Sequence, residues 1–425
     1  MRAVVMKFGG TCVEGPENRA LAAERIVEAR DKGLCPVVVV SAMGREGQPY
    51  STANLVQFVR ETSPNIASRE LDLLMSMGEI ISTVMMAHFL RAQGFNTIAL
   101  TGGQAGLITD TFYGHAEIVD IKPDYLLGSL KQGYIVFVAG FQGVTGGHEA
   151  HDITTLGEGG SDYTAVALTF TLQQPRTGVL EERVHVEPVH IYKDVDGVMT
   201  ANPNSLRDER GKIVGEGPKL LSTLTYDELV MMAHLGAEVI QHKASVMARR
   251  HRLPIFIRNY STNAPGTEIS TTTVGHAYRD VTAVTDIGDL FIFTLPSSNP
   301  RLGSQLSEDL ARQRLTHWEI TTEPSQVRFA VRREKYRNIQ LLIDHIVFDR
   351  GLSAETSASR WGLVSLIGEG MRGRVAEFME KADAILKAER IETFGAIEGE
   401  LNLSYLVREE DREQAVRVLH SSLVE

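Results

Sequence analysis

A lysine beside two glycines is the first feature of the chain with clear chemical potential. Lys7 lies near the end of an apolar run, and Gly9 and Gly10 follow one residue later. Glycines let the backbone approach a phosphate closely, and a lysine at that point can neutralise charge on a transferring group. A surface turn has the same composition, so this pattern alone leaves both interpretations open.

A second glycine-rich segment, TTLGEGGSDYTA at 154–165, reads as a loop that enters a helix. Ser161 or Asp162 is placed to cap that helix, whose N-terminus attracts anions. The segment therefore predicts either a plain helix cap or a site for an anionic ligand, and the two roles are compatible.

Two further polar residues, Glu79 and Ser41, lie within or directly after apolar segments. Glu79 lies within an apolar helical pattern, where an unpaired carboxylate is costly. Ser41 follows a run of valines, where its hydroxyl can bind a substrate or phosphate, or simply stabilise a turn. For Glu79, a role in ligand binding is favoured over a position on an exposed helix face. For Ser41, both interpretations stay open.

Alternating strands and helices position these residues. Apolar runs predict strands at 3–8, 37–40, 97–100, 135–139 and 189–192, and spacings of three and four predict helices near 20–27 and 70–90. The second helix carries one apolar side, formed by Leu73, Leu74, Met77, Ile80 and Ile81. Such alternation implies an α/β fold with a parallel sheet, whose ligands bind at the carboxyl ends of the strands. The turns after Phe8, Val40, Ala139 and Tyr192 should therefore gather at one edge.

The pattern changes after about residue 281. Two similar βαββαβ-like units follow, with a period of about 75 residues, and they resemble tandem ACT domains. The predicted domains are 1–269, a linker at 270–280, and ACT domains at 281–355 and 356–425. Neither unit shows a glycine-rich phosphate loop, so we expect a regulatory and dimerisation module. The polar stretch 173–188 reads as a surface insertion or a longer hairpin.

Composition excludes several classes of protein. The chain has 425 residues, 43% hydrophobic and 23% charged, with a net charge of −11. An acidic protein lacks the basic surface that broad nucleic-acid binding needs. Two cysteines, Cys12 and Cys35, make neither a disulfide framework nor a zinc site. Without a long apolar run or a leader pattern, we expect a cytoplasmic enzyme without a membrane span.

Six segments in the same order resemble motifs of the aspartate kinases, especially the bacterial type with two ACT domains. They are KFGGTCV at 7–13, VSAMGR at 40–45, SMGEIIS at 76–82, TGGQAG at 101–106, AGFQG at 139–143 and YKDVDGVMTANP at 192–203. With the loop at 154–162, the resemblance covers nearly the whole chain. It implies an amino acid kinase-like parallel-sheet sandwich followed by the ACT pair.

The resemblance also implies a reaction, phosphoryl transfer from ATP to the side-chain carboxylate of L-aspartate, which depends on positioning and charge neutralisation. By this resemblance, the catalytic residues are Lys7 and Asp162. The expected substrate contacts are Thr11, Ser41, Glu79, Phe141, Glu158, Gly159, Gly160 and Ser161. The expected ATP contacts are Lys7, Gly9, Gly10, Tyr192, Lys193, Asp194, Asp196, Gly197, Asn202 and Lys243. Mg²⁺ in this family is held largely by phosphates and water, so no metal site is assigned to the protein itself.

Several ligand-facing positions depart from the family pattern. Glu158 stands where the family has an arginine that pairs with the α-carboxylate of aspartate, and loss of one partner of a buried pair costs about 3–5 kcal/mol. Lys193, His148 and His151 are candidates for a replacement cation. Glu238 occupies a position where many family members have a lysine that faces the phosphates. Some members lack that lysine, and Lys243 could supply the positive charge here instead. Asn202 and Asn204 stand where the family motif has aspartate and arginine, and Cys12 stands for a serine.

Three functions are compatible with these residues. The main one is an aspartate kinase whose ACT domains sense an aspartate-family amino acid, as a homodimer or larger homo-oligomer formed through those domains. The second, favoured by Glu158, is a kinase of the same fold with a different acceptor. The third, favoured by the combined departures, is a catalytically weak regulatory paralogue that senses a ligand.

Overall fold

The computed structural model describes residues 1–44, 47–63, 65–147, 151–175, 184–207, 210–213, 216–270, 279–296, 301–320, 326–332, 339–348, 355–356 and 360–424. The chain divides into two compact units. The first comprises Met1–Val198, Leu220–Tyr226 and Val239–Val274, and the second comprises Met199–Lys219, Asp227–Glu238 and Gly275–Glu425. The domain boundaries expected from the sequence stay a prediction. Residues 271–278 of the expected linker and 176–183 of the expected insertion fall outside the described residues.

The elements up to residue 269 alternate as the sequence predicts. In chain order they are β1 (Arg2–Phe8), α1 (Gly10–Val13), α2 (Gly15–Asp31), β2 (Cys35–Val40), α3 (Thr52–Thr62), α4 (Ser68–Arg91), β3 (Thr97–Leu100), β4 (Leu107–Thr109), β5 (Ile118–Ile121), α5 (Asp124–Lys131), β6 (Ile135–Ala139), β7 (Gln142–Thr145), β8 (Ile153–Thr155), α6 (Gly160–Gln173), β9 (His185–Val186), β10 (Val189–Lys193), β11 (Thr223–Leu224), α7 (Tyr226–His234), α8 (His242–His251), β12 (Ile255–Asn259) and β13 (Thr267–Ile269).

A mainly parallel sheet forms the centre of the first unit. Its strand order is β11-β13-β12-β10-β1-β2-β6-β3, and β9 also pairs with β1. Strands β2 and β6 are almost wholly buried because their valines and isoleucines pack on both faces, as is typical of parallel sheets. Phe8 pairs with both Val40 and Tyr192, and Val40 pairs with Ala139. The four glycine-containing turns therefore do gather at one edge, as predicted.

Helix α4 buries its polar side. Asp72, Ser76 and Glu79 are buried, whereas Leu73 and Met77, from the apolar side noted in the sequence, are exposed. By length and composition α4 is apolar enough to cross a membrane, yet it packs along β3, β6 and β8 within the domain. A core helix of a folded domain passes the same test, and the two buried carboxylates favour that interpretation.

The buried Asp72 joins α4 to the strand that enters the glycine-rich loop. Its carboxylate accepts hydrogen bonds from the Thr155 amide at 2.7 Å, the Thr155 hydroxyl at 2.9 Å and the Gly114 amide at 2.8 Å. Burial raises the pKa of Asp72, and these three donors oppose that shift. Asp72 therefore fixes the end of β8 relative to α4.

The second unit contains the predicted repeat. Its C-terminal elements are β14 (Ala283–Pro296), α9 (Leu302–Arg312), β15 (His317–Ile320), β16 (Gln326–Arg332), α10 (Ile339–Phe348), β17 (Glu355–Thr356), β18 (Trp361–Ile367), α11 (Val375–Ala388), β19 (Ala396–Glu398), β20 (Asn402–Arg408) and α12 (Arg412–Leu423). The order β15-β16-β14-β18-β20-β19, with β17 on β14, merges both repeats into one sheet. The antiparallel pair β14–β18 joins the two repeats.

We expect Asp72→Ala to lower the free energy of unfolding by about 2–4 kcal/mol, because two backbone N–H groups lose their acceptor. Urea titration of both proteins measures the difference. Asp72→Asn, which keeps one acceptor oxygen, should lose less. A loss below about 0.5 kcal/mol in Asp72→Ala would contradict this account of the helix–strand connection.

Candidate active site

A buried ion pair lies at the carboxyl edge of the parallel sheet. Lys7 Nζ, from β1, lies 2.9 Å from Asp162 Oδ1, and the two side chains are only 7% and 3% exposed. Burial alone would raise the pKa of Asp162, but the charges of Lys7 and Lys193 outweigh it and lower the pKa. Asp162 is therefore ionised and holds the lysine ammonium at the sheet edge.

The entry to helix α6 places Asp162 differently from the expected helix cap. The cap position is Gly159, whose φ of +74° favours glycine, and no side chain bonds to the cap. The prediction that Ser161 or Asp162 caps α6 is wrong, because the helix begins at Gly160 and both residues lie in its first turn. The Asp162 carboxylate instead faces Lys7 and also accepts a hydrogen bond from the Gln241 amide at 3.2 Å.

Glu79 projects from the buried side of α4 toward the same edge. Its Oε1 accepts a hydrogen bond from the Ala42 amide at 3.0 Å, while its Oε2 is buried without a hydrogen-bond partner among the described residues. Burial raises the pKa of Glu79 to about 8, against the opposing effects of the Ala42 amide and the Lys7 charge. The side chain is thus mostly protonated at neutral pH, with one oxygen available to a ligand.

Close backbone packing forms the floor of this region. The Gly9 amide donates to the Tyr192 carbonyl at 3.2 Å, and the Ser41 amide donates to the Phe8 carbonyl at 3.1 Å. A Cβ on Gly10 would overlap the Ala42 carbonyl oxygen, so only glycine fits there. The Phe8 and Tyr192 rings stack at 4.8 Å. These contacts join the first motif to the turns after β2 and β10.

Phe141 braces the glycine-rich loop from the turn after β6. Its φ of +68° is rare for a non-glycine residue. Its carbonyl accepts a hydrogen bond from the Leu156 amide at 2.8 Å, and its amide donates to the Thr164 hydroxyl at 3.2 Å. Gly140 lies so close to Ser161 that a Cβ would approach the serine at 2.7 Å. The AGFQG motif therefore supports both ends of the loop.

Gln241 holds the same loop from the other side, and it is not among the residues expected from the sequence motifs. Its side-chain Nε2 donates hydrogen bonds to the carbonyls of Leu156 at 3.2 Å and Glu158 at 2.9 Å. Its backbone N–H donates the hydrogen bond to Asp162 described above. Gln241 occupies the cap position of α8. The signal in the sequence was its place just before a helix, from which a side chain can reach neighbouring backbone. The side chain of Glu158 itself is exposed.

Other predicted residues have different partners. Lys243 Nζ lies 2.9 Å from Glu117 Oε1 and donates to the carbonyls of His115 and Ala116. Asp196 accepts hydrogen bonds from Asn259 and Thr262, each at 2.9 Å.

The remaining predicted positions are spread over several turns. The Thr11 carbonyl accepts a hydrogen bond from Asn18, and Gly197 has a φ of +149° beside Thr267. Asn202 accepts a hydrogen bond from the Asn204 amide within the second unit. Lys193 and Asp194 end β10 and begin the turn that follows. Their predicted nucleotide roles stay predictions.

The candidate replacement cations around Glu158 are only partly described. His151 Nδ1 lies 3.2 Å from the Thr145 carbonyl, and His148 falls outside the described residues. Within the described part of the chain, no group of three or more histidine, cysteine, aspartate or glutamate side chains is arranged to hold a metal ion.

Comparison with known proteins gives consistent results. Residues 2–259 match the profile of the amino acid kinase family. Aspartokinase 1 of Bacillus subtilis (strain 168) is 32% identical over 427 residues, covering 99% of this chain and 98% of that protein. The aspartokinase of Mycolicibacterium smegmatis is 32% identical over 440 residues, covering 99% and 96%.

Solved structures share the fold. E. coli aspartokinase III in complex with aspartate and ADP, in its R-state, gives a TM-score of 0.81 at 23% identity over 99% of both chains. The same enzyme in complex with lysine and aspartate, in its T-state, gives 0.65 at 23% identity over the full length of both chains.

Glu79→Gln should change how stability depends on pH. The pKa of Glu79 is about 8 in the folded protein, against an ordinary value of 4.5. The contribution of this carboxyl group to stability is therefore fully present only below about pH 4.5. That contribution is lost as the pH rises toward 8. Glutamine does not titrate, so relative to wild type the variant should gain about 3 kcal/mol between about pH 5 and about pH 8. Urea unfolding at both pH values measures this, with the exposed Glu380→Gln as control. Parallel pH profiles for Glu79→Gln and wild type would contradict it.

Gln241→Glu should loosen the glycine-rich loop, because a carboxylate cannot donate to the carbonyls of Leu156 and Glu158. We expect the amides of Gly160 and Asp162 to exchange with deuterium at least about tenfold faster.

The matched control is Gln174→Glu, which removes a similar donation to the Phe170 carbonyl at an exposed position. Exchange as slow in Gln241→Glu as in this control would show that Gln241 does not hold the loop.

Proposed function

Because the chain belongs to the aspartokinases of the amino acid kinase family, we propose that it phosphorylates L-aspartate with ATP. A β-carboxylate oxygen attacks the γ-phosphorus, the bond to the β,γ-bridging oxygen breaks, and the products are 4-phospho-L-aspartate and ADP. The observation that carries this proposal is the buried Lys7–Asp162 pair at the carboxyl edge of the parallel sheet, where such folds bind ligands. The reaction is the first step toward lysine, threonine, methionine and diaminopimelate.

Lys7 is assigned to the transferring phosphoryl group. Charge builds on the equatorial oxygens and the leaving group during transfer, and a fixed ammonium in a water-poor site stabilises it strongly. Asp162 holds the ammonium in place at 2.9 Å, so little rearrangement is needed when the phosphate arrives. The backbone around Gly9 and Gly10 allows close approach of the phosphates.

Glu79 is assigned to the amino group of the acceptor. The ammonium would lie against the buried Oε2, and its positive charge would lower the pKa of Glu79, so that the carboxyl ionises on binding. Ser41, Thr11 and Phe141 complete the acceptor side, together with the loop from Gly157 to Asp162. Acceptor binding near neutral pH should thus be coupled to proton release.

The α-carboxylate of aspartate lacks the arginine partner that the family pattern would provide at position 158. Glu158 cannot pair with it, and two carboxylates repel each other. This observation favours a second candidate function, in which the acceptor carries a cation or a neutral group at that end. Phosphoryl transfer by Lys7 and Asp162 would be the same in both functions, so only the acceptor differs.

The nucleotide side is assigned to the turn from Tyr192 to Gly197, with Asn202 and Lys243 as further predicted contacts. Mg²⁺ would enter with ATP, since it keeps several waters and binds chiefly through substrate phosphates and one or two carboxylates. The carboxylates in this turn belong to Asp194 and Asp196, which would supply such oxygen ligands. Bound Mg²⁺ would neutralise phosphate charge beside Lys7.

The C-terminal sheet is proposed to bind an amino-acid effector and to associate with a second copy. The repeated β-α-β-β-α units support this, because such units expose strand edges that can pair between chains. The lysine complex of E. coli aspartokinase III concerns that enzyme, and the effector of this chain is proposed only as an aspartate-family amino acid. We further propose that the enzyme acts in the cytoplasm.

Turnover of ATP with hydroxylamine as an acyl-phosphate trap tests the proposal. We expect hydroxamate with L-aspartate from the wild-type protein and none from Lys7→Met. Glu158→Arg should improve binding of aspartate at least about tenfold, because an arginine fork pairs with a carboxylate. Glu380→Arg, at an exposed site on α11, controls for the charge change.

The outcomes separate the candidate functions. Wild-type turnover with aspartate supports the main proposal. Turnover only with another amino acid, or with aspartate only in Glu158→Arg, supports the second. Absence of turnover in both proteins, with every acceptor tried, would refute a kinase activity.

A further inference from the structure

A short irregular segment, residues 114–117, runs along the glycine-rich loop in the first unit, and we call it the loop wall. It belongs to no helix or strand, yet each of its four backbone N–H groups has an acceptor. The acceptors are the Asp72 carboxylate for Gly114, the Phe112 carbonyl for His115, the Thr155 carbonyl for Ala116 and the Asp110 carboxylate for Glu117. The wall is therefore held in place at every residue.

Lys243 holds the loop wall from the side of α8. Its Nζ donates to the carbonyls of His115 and Ala116, each at 3.2 Å, and lies 2.9 Å from Glu117 Oε1. An ammonium group has three donors, so these three acceptors occupy all of them. The Glu117 carboxylate also accepts a hydrogen bond from the Tyr163 hydroxyl at 3.4 Å. Both the backbone of the wall and its one carboxylate are thus engaged.

The imidazole of His115 lies against the glycine-rich loop. A Cβ on Gly157 would be 2.8 Å from His115 Nδ1, and Gly157 has a φ of +81°, so this position requires glycine on both counts. Glu158 is the next residue, and its side chain is exposed. A half-buried histidine is therefore held beside the position where the family pattern has the arginine that pairs with the substrate.

We propose that His115 is a specificity-determining residue of the acceptor site, and that its imidazolium pairs with the α-carboxylate of L-aspartate. This role rests on the proposed kinase function and names the group that replaces the missing arginine. A charged imidazole donates from both ring nitrogens, and hydrogen bonds between charged groups are the stronger ones. The acceptor brings a second negative charge next to Glu158, and one proton taken up by His115 neutralises it.

Two features favour His115 over other cations near the loop. Lys243 is committed to three acceptors, so a carboxylate that recruited it would release the wall. His151, a candidate from the sequence, lies by the Thr145 carbonyl in the connection from β7 to β8. Histidine changes its charge between about pH 5 and pH 8, so His115 can bind a proton together with the acceptor.

Other titratable groups face the loop wall from every element packed against it. They are Asp72 from α4, Asp110 from the preceding turn, Tyr163 from α6 and Lys243 from α8, with Glu117 on the wall itself and Glu158 on the loop. Glu79 also titrates on acceptor binding in the proposed function. All of these groups are present in both wild type and a His115 variant. The ratio of their affinities for L-aspartate therefore isolates the charge of His115.

Isothermal titration calorimetry of L-aspartate with the full-length protein tests the proposal without turnover. In His115→Asn the Kd should rise at least about tenfold at about pH 6, where wild type carries the imidazolium. At about pH 8.5 the two proteins should agree within about twofold, because neither is charged at residue 115. A purely structural role would weaken binding equally at both pH values.

The matched control is His185→Asn. His185 is exposed, lies 3.7 Å from Glu187, and pairs with Arg2 at the start of β1, the edge of the sheet opposite the site. Its loss should leave the Kd of L-aspartate unchanged at both pH values. His115→Lys keeps a cation at both pH values, so it should bind L-aspartate more tightly than wild type at about pH 8.5. This variant decides the question if His115→Asn does not fold.

The α-amide of L-aspartate tests which end of the acceptor His115 contacts. It keeps the amino group and the side-chain carboxylate but has no charge at the α-carbonyl end. Its Kd should differ by less than about twofold between wild type and His115→Asn at about pH 6. A loss as large as that for L-aspartate would overturn the assignment to the α-carboxylate.

The remaining outcomes separate this proposal from the proposed function. If wild type binds L-aspartate but the ratio to His115→Asn does not change with pH, the proposal is overturned and the kinase function stands. The same holds if His115→Lys binds no more tightly than wild type at about pH 8.5. Absence of L-aspartate binding to wild type at both pH values would refute the proposed acceptor and this role of His115 together.

Discussion

The ion pair between Lys7 and Asp162 is the interaction on which the rest of the site depends. Two opposite charges are taken almost entirely out of water, and this arrangement is stable only when geometry and hydrogen bonding compensate for the lost hydration. Part of the compensation comes from the backbone N–H of Gln241, which donates a hydrogen bond to the Asp162 carboxylate, and Asp162 itself is fixed in the first turn of α6. The lysine is held by a network assembled from distant parts of the sequence, and its position is set before any ligand binds.

Helix α4 connects the chemistry of this site to the surface. One side carries two carboxylates in different roles: Asp72 is saturated by three donors, whereas Glu79 keeps one oxygen without a partner. The first therefore acts as a structural anchor, and the second retains the capacity to respond to a ligand. Since both sit on one rigid helix two turns apart, any contact that fixes the outer side of α4 also fixes the position of Glu79.

Much of the architecture could be predicted from the sequence. Unbroken valine runs specify strands buried on both faces, and the glycine turns after them had to meet at one edge. The side that α4 buries could not be predicted from its apolar pattern, because Asp72 and Glu79 satisfy partners that are distant in sequence. Gln241 was missed for the same reason. The helix-cap prediction for Asp162 failed because α6 begins two residues earlier than expected, at Gly160, and the partner of Asp162 is Lys7, which is distant in sequence.

The second unit is built from three separate segments of the chain, and this affects how such proteins can be recombined. Residues 199–219 and 227–238 belong to it together with the C-terminal sheet, and Ala201 and Leu206 share a hydrophobic cluster with Phe378 and Leu403. A gene fusion or truncation placed near residue 270 would separate these partners and leave apolar side chains uncovered. Exchange of regulatory halves between relatives at that point should therefore require matched changes inside the upstream sequence.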